Sequence, residues 1–307
     1  MSLVNRVWQR LKRDYFRKDY QRAARGVLTT PPLQQGSLPF TVLSMVHHRD
    51  VVSYLVAIKS FAHFLNPRAI VMVCDPSIDD ADRALILRHV PHLTLRHADE
   101  FTDKDIPRGG TWERLYAISE YAQHSYVVQL DADTVTLQAI PEVRAAIEAG
   151  TGFVLGEMPN TPIRRLPAVR ENALPWMRPG AHIQGIVETE MVNVGLPDDA
   201  VYIRGCSGFT GFPQWQTMRP LLTDFSRRMT GKLGEDWKRW GTEQVTSNYL
   251  VSNAAGTTPL PFPKYGTPDV ATADTAFSHF IGSMRFVNGK YAEASRRAIA
   301  LVGGAAS

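Results

Sequence analysis

The chain has 307 residues and a mass of 34.3 kDa, with 44% hydrophobic and 21% charged residues. This size suits one large α/β domain, or one domain with short appendages. No apolar run approaches the ~20 residues that cross a bilayer, so no transmembrane helix is expected. The N-terminus lacks the apolar core of a secretion signal, and Cys74 and Cys206 do not have a metal-ligand spacing. We therefore expect a protein of the reducing cytoplasm.

The net charge of +4 is unevenly distributed along the chain. Residues 1–25 carry eight Arg or Lys and two Asp, a net +6, which leaves −2 for the other 282 residues. Trp8, Leu11 and Tyr15 recur at helical spacing, so 1–28 is predicted to be a basic amphipathic helix. Such a helix can contact an anionic membrane or pack on its own domain, and the sequence leaves both open. The slightly acidic remainder and the lack of a recognisable module argue against nucleic-acid binding.

Consecutive prolines make 29–37 a predicted linker, so the main domain is expected to occupy 38–290. Its first half alternates between two patterns, with predicted strands at 40–46, 69–74, 93–95 and 126–130 and predicted helices at 51–65, 79–89 and 112–123. This alternation indicates βαβ units and a mostly parallel, Rossmann-like sheet. The predicted fold class is therefore α/β.

The second half of the domain is less regular. Short strands are predicted at 153–155, 192–194 and 201–203, and helices at 213–232 and 242–252. Residues 158–190 are rich in Pro and Arg and are predicted to form a long loop, which in a compact domain is usually a lid or a flexible insertion. A helix or tail is predicted at 291–307.

An apolar run from Tyr126 to Leu130 ends in Asp131-Ala132-Asp133. Catalytic groups in open α/β sheets gather where buried strands end. Side chains at i and i+2 of an extended segment share a face, so Asp131 and Asp133 can converge on one ion. Their hard oxygen ligands favour Mg²⁺ or Mn²⁺, which typically bridge to phosphates. A solvated Asp pair in a turn is the alternative.

A second motif near the C-terminus reads His279-x-x-Gly282-x-x-Arg285. A neutral imidazole can complete a metal shell, a glycine lets backbone N–H groups approach an oxyanion, and an arginine can clamp phosphate with paired donors. Each residue alone has a structural explanation, as a core histidine, a turn glycine or a surface charge. Together their residue types suit a diphosphate site.

The two motifs together resemble glycosyltransferase family 8, the GT-A-fold group that includes glycogenin and the bacterial lipopolysaccharide galactosyl- and glucosyltransferases. The resemblance spans about residues 40–286. It implies a GT-A fold for 38–290, with Asp131, Asp133 and His279 as ligands of Mn²⁺ or Mg²⁺. It also implies that Gly282 is the glycine of a phosphate loop.

The resemblance extends to residues around the donor sugar. Arg114 lies one helix before the Asp pair, where the family has an arginine that faces the nucleotide sugar. Glu243-Gln244 is similar to the family's acidic-Gln pair near the anomeric carbon, and Arg285 replaces the family's lysine with a different geometry. Glu243, Gln244 and Arg285 are thus implied as catalytic residues. The implied donor site comprises His47, Asp50, Arg114, Asp131, Ala132, Asp133, Ser207, Gly208, Gly282 and Arg285.

The resemblance implies a metal-dependent, retaining glycosyltransferase that uses a UDP-sugar and a glycan or lipid-linked acceptor. A cytoplasmic enzyme with a basic helix would fit polysaccharide synthesis at the inner face of a membrane. Two alternatives stay open. Asp131-Ala132-Asp133-Thr134-Val135 also fits the motif of a haloacid-dehalogenase-type phosphohydrolase, with Asp131 as nucleophile and Asp133 as general acid/base, although that motif normally opens the chain. A catalytically silent nucleotide-sugar-binding protein would keep the same residues without turnover.

Overall fold

The computed structural model describes residues 3–282 and 284–304. Its α-helices are α1 (Leu3–Ala24), α2 (Val51–Leu65), α3 (Asp80–His89), α4 (Trp112–Tyr121), α5 (Pro141–Ala149), α6 (Leu166–Ala173), α7 (Ile183–Glu190), α8 (Met218–Leu233), α9 (Thr242–Ser252) and α10 (Lys290–Gly303). Its strands are β1 (Leu38–Val46), β2 (Pro67–Cys74), β3 (Thr94–His97), β4 (Tyr126–Leu130), β5 (Thr134–Thr136), β6 (Phe153–Gly156), β7 (Ile163–Arg165), β8 (Val201–Ile203), β9 (Gly205–Phe212), β10 (Thr258–Pro259), β11 (Tyr265–Gly266) and β12 (Phe277–His279). Within these described ranges, no helix is both long and apolar enough to cross a bilayer.

The central sheet has seven strands in the order β10-β6-β9-β4-β1-β2-β3. β1 pairs in parallel with both β2 and β4, and β2 pairs in parallel with β3. This order is that of a Rossmann half, in which helices connect parallel strands. β9 runs antiparallel between β4 and β6. The structure thus confirms the predicted α/β fold with a mostly parallel sheet.

The sheet is buried on both faces. Val127 and Val128 are consecutive residues of β4, and they belong to two different hydrophobic clusters because side chains alternate along a strand. α2 and α10 contribute to one cluster, and α4, α8 and α9 to the other. All five residues of β4 are buried, so the strand delivers the residues that follow it to the edge of the sheet at a fixed position.

A second, three-stranded sheet brings the C-terminal motif to the same edge. β12 pairs antiparallel with β5, and His279 lies opposite Thr134 in this register. The backbone N–H of Phe280 donates to the carbonyl of Asp133 at 2.8 Å. The histidine and the aspartate pair, more than 140 residues apart in sequence, are therefore neighbours through the backbone as well as through their side chains.

The C-terminal part of α1 belongs to the folded body. Tyr20 and Ala24 are buried in the same cluster as Tyr291 of α10, and the rings of Tyr20 and Tyr291 stack with centroids 3.8 Å apart. The segment at 29–37 has little regular structure but is held in place by hydrogen bonds. Lys59 of α2 donates to the Oγ1 of Thr30 and to the carbonyl of Pro31, each at 2.7 Å.

Two expectations for the second half are wrong. The 158–190 segment is not a long loop, because it contains β7, α6 and α7. Pro167, which suggested a loop, lies in the first turn of α6, where its missing N–H costs no hydrogen bond. The predicted strand at 192–194 is instead mostly a 3-10 helix, Met191–Asn193, because a short apolar run does not distinguish a strand from a helix end.

The sequence reading also missed β9, whose three glycines obscure the strand pattern. A Cβ on Gly211 would lie 2.3 Å from the ring of Phe153, and a Cβ on Gly205 would lie 2.3 Å from Cγ1 of Val154. Both distances are far shorter than a van der Waals contact, so the glycines are required for β9 to pack beside β6. α5 was not predicted either.

Candidate functional site

A cavity of about 720 Å³ opens at the carboxyl ends of β1 and β4. This is the edge at which open α/β sheets bind ligands. Every site residue named from the sequence lines the cavity, namely His47, Asp50, Arg114, Asp131, Ala132, Asp133, Ser207, Gly208, Glu243, Gln244, His279, Gly282 and Arg285. The structure therefore brings the two motifs and the sugar-site residues together, while the role of each residue stays a prediction.

Asp131, Asp133 and His279 have the geometry of a ligand set for one cation. Each offers one ligand atom, and these atoms lie within 4.8 Å of one another. The Nε2 of His279 is 3.1 Å from Oδ1 of Asp133 and 3.7 Å from Oδ2 of Asp131. An octahedral ion with bonds of ~2.1 Å separates adjacent ligands by about 3 Å and opposite ligands by about 4 Å. Two carboxylates and an imidazole at these spacings thus fit a divalent metal.

His279 lies directly against the backbone of β9. A Cβ on Gly208 would be 2.1 Å from Cε1 of the His279 ring and 2.5 Å from its Nδ1. The Nδ1 atom is 3.3 Å from Sγ of Cys206, so both edges of the ring have a polar neighbour. Only glycine at 208 leaves room for the ring, and this explains a glycine at this point of β9.

Buried charges hold the metal-ligand set in a defined protonation state. Burial alone would raise the pKa of Asp133, but His279 and Arg285 outweigh burial and lower that pKa to about 2. Burial opposes the charged form of His279, but Cys206 and Asp133 outweigh burial and raise its pKa well above the ordinary value. A cation on Nε2 requires neutral imidazole, so metal binding would displace a proton from His279.

Arg285 connects the ends of two central strands. Its Nε and Nη2 donate to Oδ2 of Asp133 at 2.9 and 2.7 Å, and its Nη1 donates to Oδ1 of Asp50 at 2.9 Å. The planar fork of arginine presents these donors from three separate nitrogens in fixed directions, whereas the three donors of an ammonium group all leave from one nitrogen. These bonds place a fixed positive charge in the cavity wall, beside the metal-ligand set.

Arg114 organises the other side of the cavity. Its guanidinium is buried and donates to Asp131 and to Oε1 of Glu243, the latter at 3.2 Å. Glu243 also accepts from the hydroxyls of Thr111 at 3.1 Å and Ser207 at 3.3 Å. Burial raises the pKa of Glu243, and the Arg114 guanidinium opposes this rise. The network ties α4, the end of β4, β9 and α9 into one rigid wall.

Two residues that were not predicted from the sequence are a support of the cavity residue Gln244 and a residue of the cavity lining. Gln184 of α7 accepts from Nε2 of Gln244 at 3.2 Å, so the segment expected to be a loop supports this side chain through a helix. Trp240 lines the cavity rim, and its side chain is 69% exposed. Its ring meets that of His182 edge to face, with centroids 6.1 Å apart.

The N-terminal helix also contributes to the cavity. Arg17, Tyr20 and Gln21 of α1 line it. The hydroxyl of Tyr20 donates to Oγ of Ser53 at 2.6 Å, which joins α1 to α2 beside the end of β1. The sequence carries no signal for this contribution, because the helical pattern of 1–28 fits a helix that is separate from the main domain as well as one that packs on it.

No family model and no curated protein sequence matches the chain. The solved structure of the galactosyltransferase LgtC, in complex with donor and acceptor sugar analogues, is similar over 83% of this chain and 95% of that chain, with a TM-score of 0.50 and 11% identity. This chain has the GT-A fold. The fold is therefore consistent with the resemblance of the two sequence motifs to glycosyltransferase family 8.

Two further solved structures are also similar. The apo structure of the bifunctional glycosyltransferase WbbM matches 82% of this chain with a TM-score of 0.49 and 15% identity. This chain spans only 47% of the WbbM chain, about half its length. Core-mannan synthase A from Aspergillus fumigatus, in its Mn/GDP form, matches 75% of this chain and 75% of that chain, with a TM-score of 0.43 and 10% identity.

Proposed function

We propose that the chain is a metal-dependent glycosyltransferase that moves a hexosyl group from a nucleotide-diphosphate sugar to a glycan or lipid-linked acceptor. The expected donor is a UDP-sugar. The observation that carries the proposal is the convergence of Asp131, Asp133 and His279 beside Arg285 in one cavity of a GT-A fold. The similarity to LgtC, which was solved with donor and acceptor sugar analogues, supports it.

Asp131, Asp133 and His279 would hold the metal. A divalent ion held there would supply Lewis-acid stabilisation of the diphosphate leaving group. The two carboxylates suit Mg²⁺ and Mn²⁺ equally. The imidazole favours Mn²⁺, because Mg²⁺ prefers a shell made only of oxygen ligands. Loading of the site would require His279 to lose its proton, and we therefore expect metal affinity to rise with pH.

The chain's own residues would bind the diphosphate beside this metal-ligand set. Negative charge grows on the diphosphate as the glycosidic C–O bond breaks, and groups fixed in advance stabilise this charge without reorganising. Arg285 meets that requirement because Asp50 and Asp133 hold its guanidinium. Among the described residues other than its chain neighbours, none has an atom within 4 Å of a Cβ position on Gly282, so its backbone borders open space that a phosphate can approach.

The nucleoside would lie at the end of β1. His47 and Asp50 follow this strand and line the cavity. The Nδ1 of His47 is 3.1 Å from Oδ2 of Asp75, so a carboxylate after β2 orients the imidazole. This arrangement supports a nucleoside site between the ends of β1 and β2, at the edge where α/β sheets bind nucleotides.

The donor sugar would lie toward Gln244 and Glu243. Arg114, Thr111 and Ser207 all donate to the buried Glu243 carboxylate, which suits a role in positioning rather than as a free base. Gln244 is neutral, so it would stabilise charge near the anomeric carbon without removing a proton. Retention of anomeric configuration is proposed on the resemblance to family 8.

The acceptor would approach from the side of Trp240. This exposed indole lies two residues before the start of α9, which carries Glu243 and Gln244 in its first turn. An exposed aromatic face at the mouth of a cavity offers a flat apolar surface to a sugar ring. A glycan acceptor stacked on Trp240 would therefore sit next to the anomeric carbon of the donor.

The proposal is tested by supplying the purified protein with UDP-sugars and GDP-sugars, with Mn²⁺ or with EDTA, and measuring release of the nucleoside diphosphate. Release that requires the metal and is lost in Asp131→Asn would support it. A parallel reaction contains p-nitrophenyl phosphate. Metal-dependent cleavage of this monoester without donor turnover would instead indicate a phosphohydrolase, and donor binding without any turnover would indicate a silent binding protein.

A further inference from the structure

We propose that α1 is a membrane-docking helix whose exposed N-terminal part binds an anionic lipid surface while its C-terminal part forms a wall of the donor cavity. Four large apolar side chains of α1 are more than half exposed: Val7 at 52%, Trp8 at 63%, Leu11 at 58% and Tyr15 at 67%. Trp8, Leu11 and Tyr15 recur at i, i+3 and i+7, so they form one stripe along the helix. A contiguous exposed apolar stripe of this kind marks an interaction surface.

The stripe is not the face by which α1 packs on its own domain. Tyr20 and Ala24 form the packed face, against Tyr291 of α10. At 3.6 residues per turn, Tyr20 and Ala24 point about 140° and 180° away from Tyr15 around the helix axis. Residues 5–13 are exposed without exception. Among the described side chains of α1, only those in its C-terminal part are buried in the domain, through the face that carries Tyr20 and Ala24. The apolar stripe lies on the opposite face and is exposed to solvent.

The charge of the helix selects the partner. All eight cations of residues 1–25 are exposed, namely Arg6, Arg10, Lys12, Arg13, Arg17, Lys18, Arg22 and Arg25. Lys12 follows Trp8 by four residues and Lys18 follows Tyr15 by three, so both ammonium groups lie beside the apolar stripe. Tryptophan and leucine on one face, bordered by Lys and Arg, is the composition of a helix that lies in an anionic lipid interface.

A second copy of the chain fits this surface less well. Two-fold pairing of the stripes would bring two segments of net charge +6 together, and like charges across an interface are unfavourable. Anionic lipid head groups complement the same charge. The membrane is therefore the occupant to which we assign the stripe.

Docking through α1 would place the donor cavity at the membrane surface. The wall of the cavity includes Arg17 and Gln21. Arg17 lies two residues after Tyr15, where the stripe ends. The hydroxyl of Tyr20, between them, is fixed to Ser53 at 2.6 Å, so α1 cannot tilt freely relative to the cavity. If the proposed function holds, this position favours a lipid-linked acceptor over a soluble glycan.

The test is co-sedimentation of the full-length protein with vesicles, in the absence of metal and nucleotide. One set of vesicles contains phosphatidylcholine and phosphatidylglycerol, and the other only phosphatidylcholine. We expect binding to the anionic vesicles that weakens with added salt. Lys12→Gln with Lys18→Gln should weaken binding about thirty-fold, at ~1 kcal/mol per cation, and Trp8→Ser with Leu11→Ser should abolish it.

Matched controls lie away from α1. Trp176 is 74% exposed, and Trp176→Ser should bind like wild type. Arg88→Gln with Lys104→Gln removes two exposed cations elsewhere and should have little effect. Absence of binding to anionic vesicles, or equal loss in the control variants, would overturn the inference, as would light scattering that shows a dimer dissociated by Trp8→Ser. Because the assay needs no turnover, its failure would leave the proposed glycosyl transfer untouched.

Discussion

Replacing Gly208 by alanine should weaken metal binding strongly, although it changes none of the three proposed metal ligands. The new Cβ would be 2.1 Å from Cε1, 2.5 Å from Nδ1 and 2.7 Å from Nε2 of His279. The ring cannot move away without losing its contacts, because Nε2 is 3.1 Å from Asp133 and Nδ1 is 3.3 Å from Cys206. We therefore expect the imidazole to leave the metal-ligand set.

The size of the effect follows from overpacking and from loss of a ligand. Because an added methyl group overpacks a close-packed interior, we expect Gly208→Ala to lower the free energy of unfolding by about 1–3 kcal/mol. Misplacing His279 should weaken Mn²⁺ affinity by at least about 10-fold to 100-fold, the range seen when only the supports of a ligand are lost. Gly231→Ala is the matched control, because Gly231 lies exposed in α8 and, apart from its chain neighbours and the backbone of its own helix, no described residue has an atom within 4 Å of its Cβ position.

The assay combines Mn²⁺ titration calorimetry with denaturant unfolding of wild type, Gly208→Ala, His279→Ala and the double variant. Because His279→Ala removes the ring, the Gly208→Ala change should cost little stability in that background. Wild-type Mn²⁺ affinity in Gly208→Ala would contradict the expected displacement of the His279 ring. An equal stability loss in both backgrounds would show that the clash is not with His279.

Three further outcomes are expected. Asp131→Asn should abolish metal-dependent donor turnover while the thermal melting transition is kept, and near-normal turnover would contradict the metal site. Arg285→Lys keeps the charge but replaces the fixed fork that spans Asp50 and Asp133 with a single nitrogen, so calorimetry should show donor affinity about tenfold weaker. Burial lowers the pKa of Lys59 from its ordinary 10.5 to about 8, so the folded state binds fewer protons than the unfolded state between these values. The unfolding free energy of wild type relative to Lys59→Met should therefore rise with pH from 8 to 10.5, and a flat or falling difference would contradict this.

The elements that could be predicted from sequence are those whose local pattern agrees with their tertiary role. α2, β4 and α9 have the predicted bounds, because β4 is a continuous apolar run and the two helices begin and end at clear pattern changes. The convergence of Asp131 and Asp133 could be expected because residues at i and i+2 after a buried strand share a face, and their role as metal ligands stays a prediction. His279 and Asp133 meet through β5 and β12, a pairing that a family resemblance implies but periodicity does not.

The features that escaped prediction depend on distant packing. Gly208 interrupts the strand pattern of β9, and its purpose becomes apparent only with the ring of His279 in place. Tyr20 reaches the cavity wall because α10 offers Tyr291 as a stacking partner, more than 270 residues later in the chain. Gln184 lies in a Pro-rich segment whose helices bury residues against the rest of the domain, and its support of Gln244 had no local signal in the sequence.

The central claim is a nucleoside-diphosphate site that depends on a metal. It is tested most directly by isothermal titration of the protein with UDP and with GDP, each with and without Mn²⁺. We expect UDP to bind when Mn²⁺ is present, and Asp133→Ala to lose this binding while remaining folded. Equal UDP affinity with and without Mn²⁺, or no nucleotide binding at all, would contradict it.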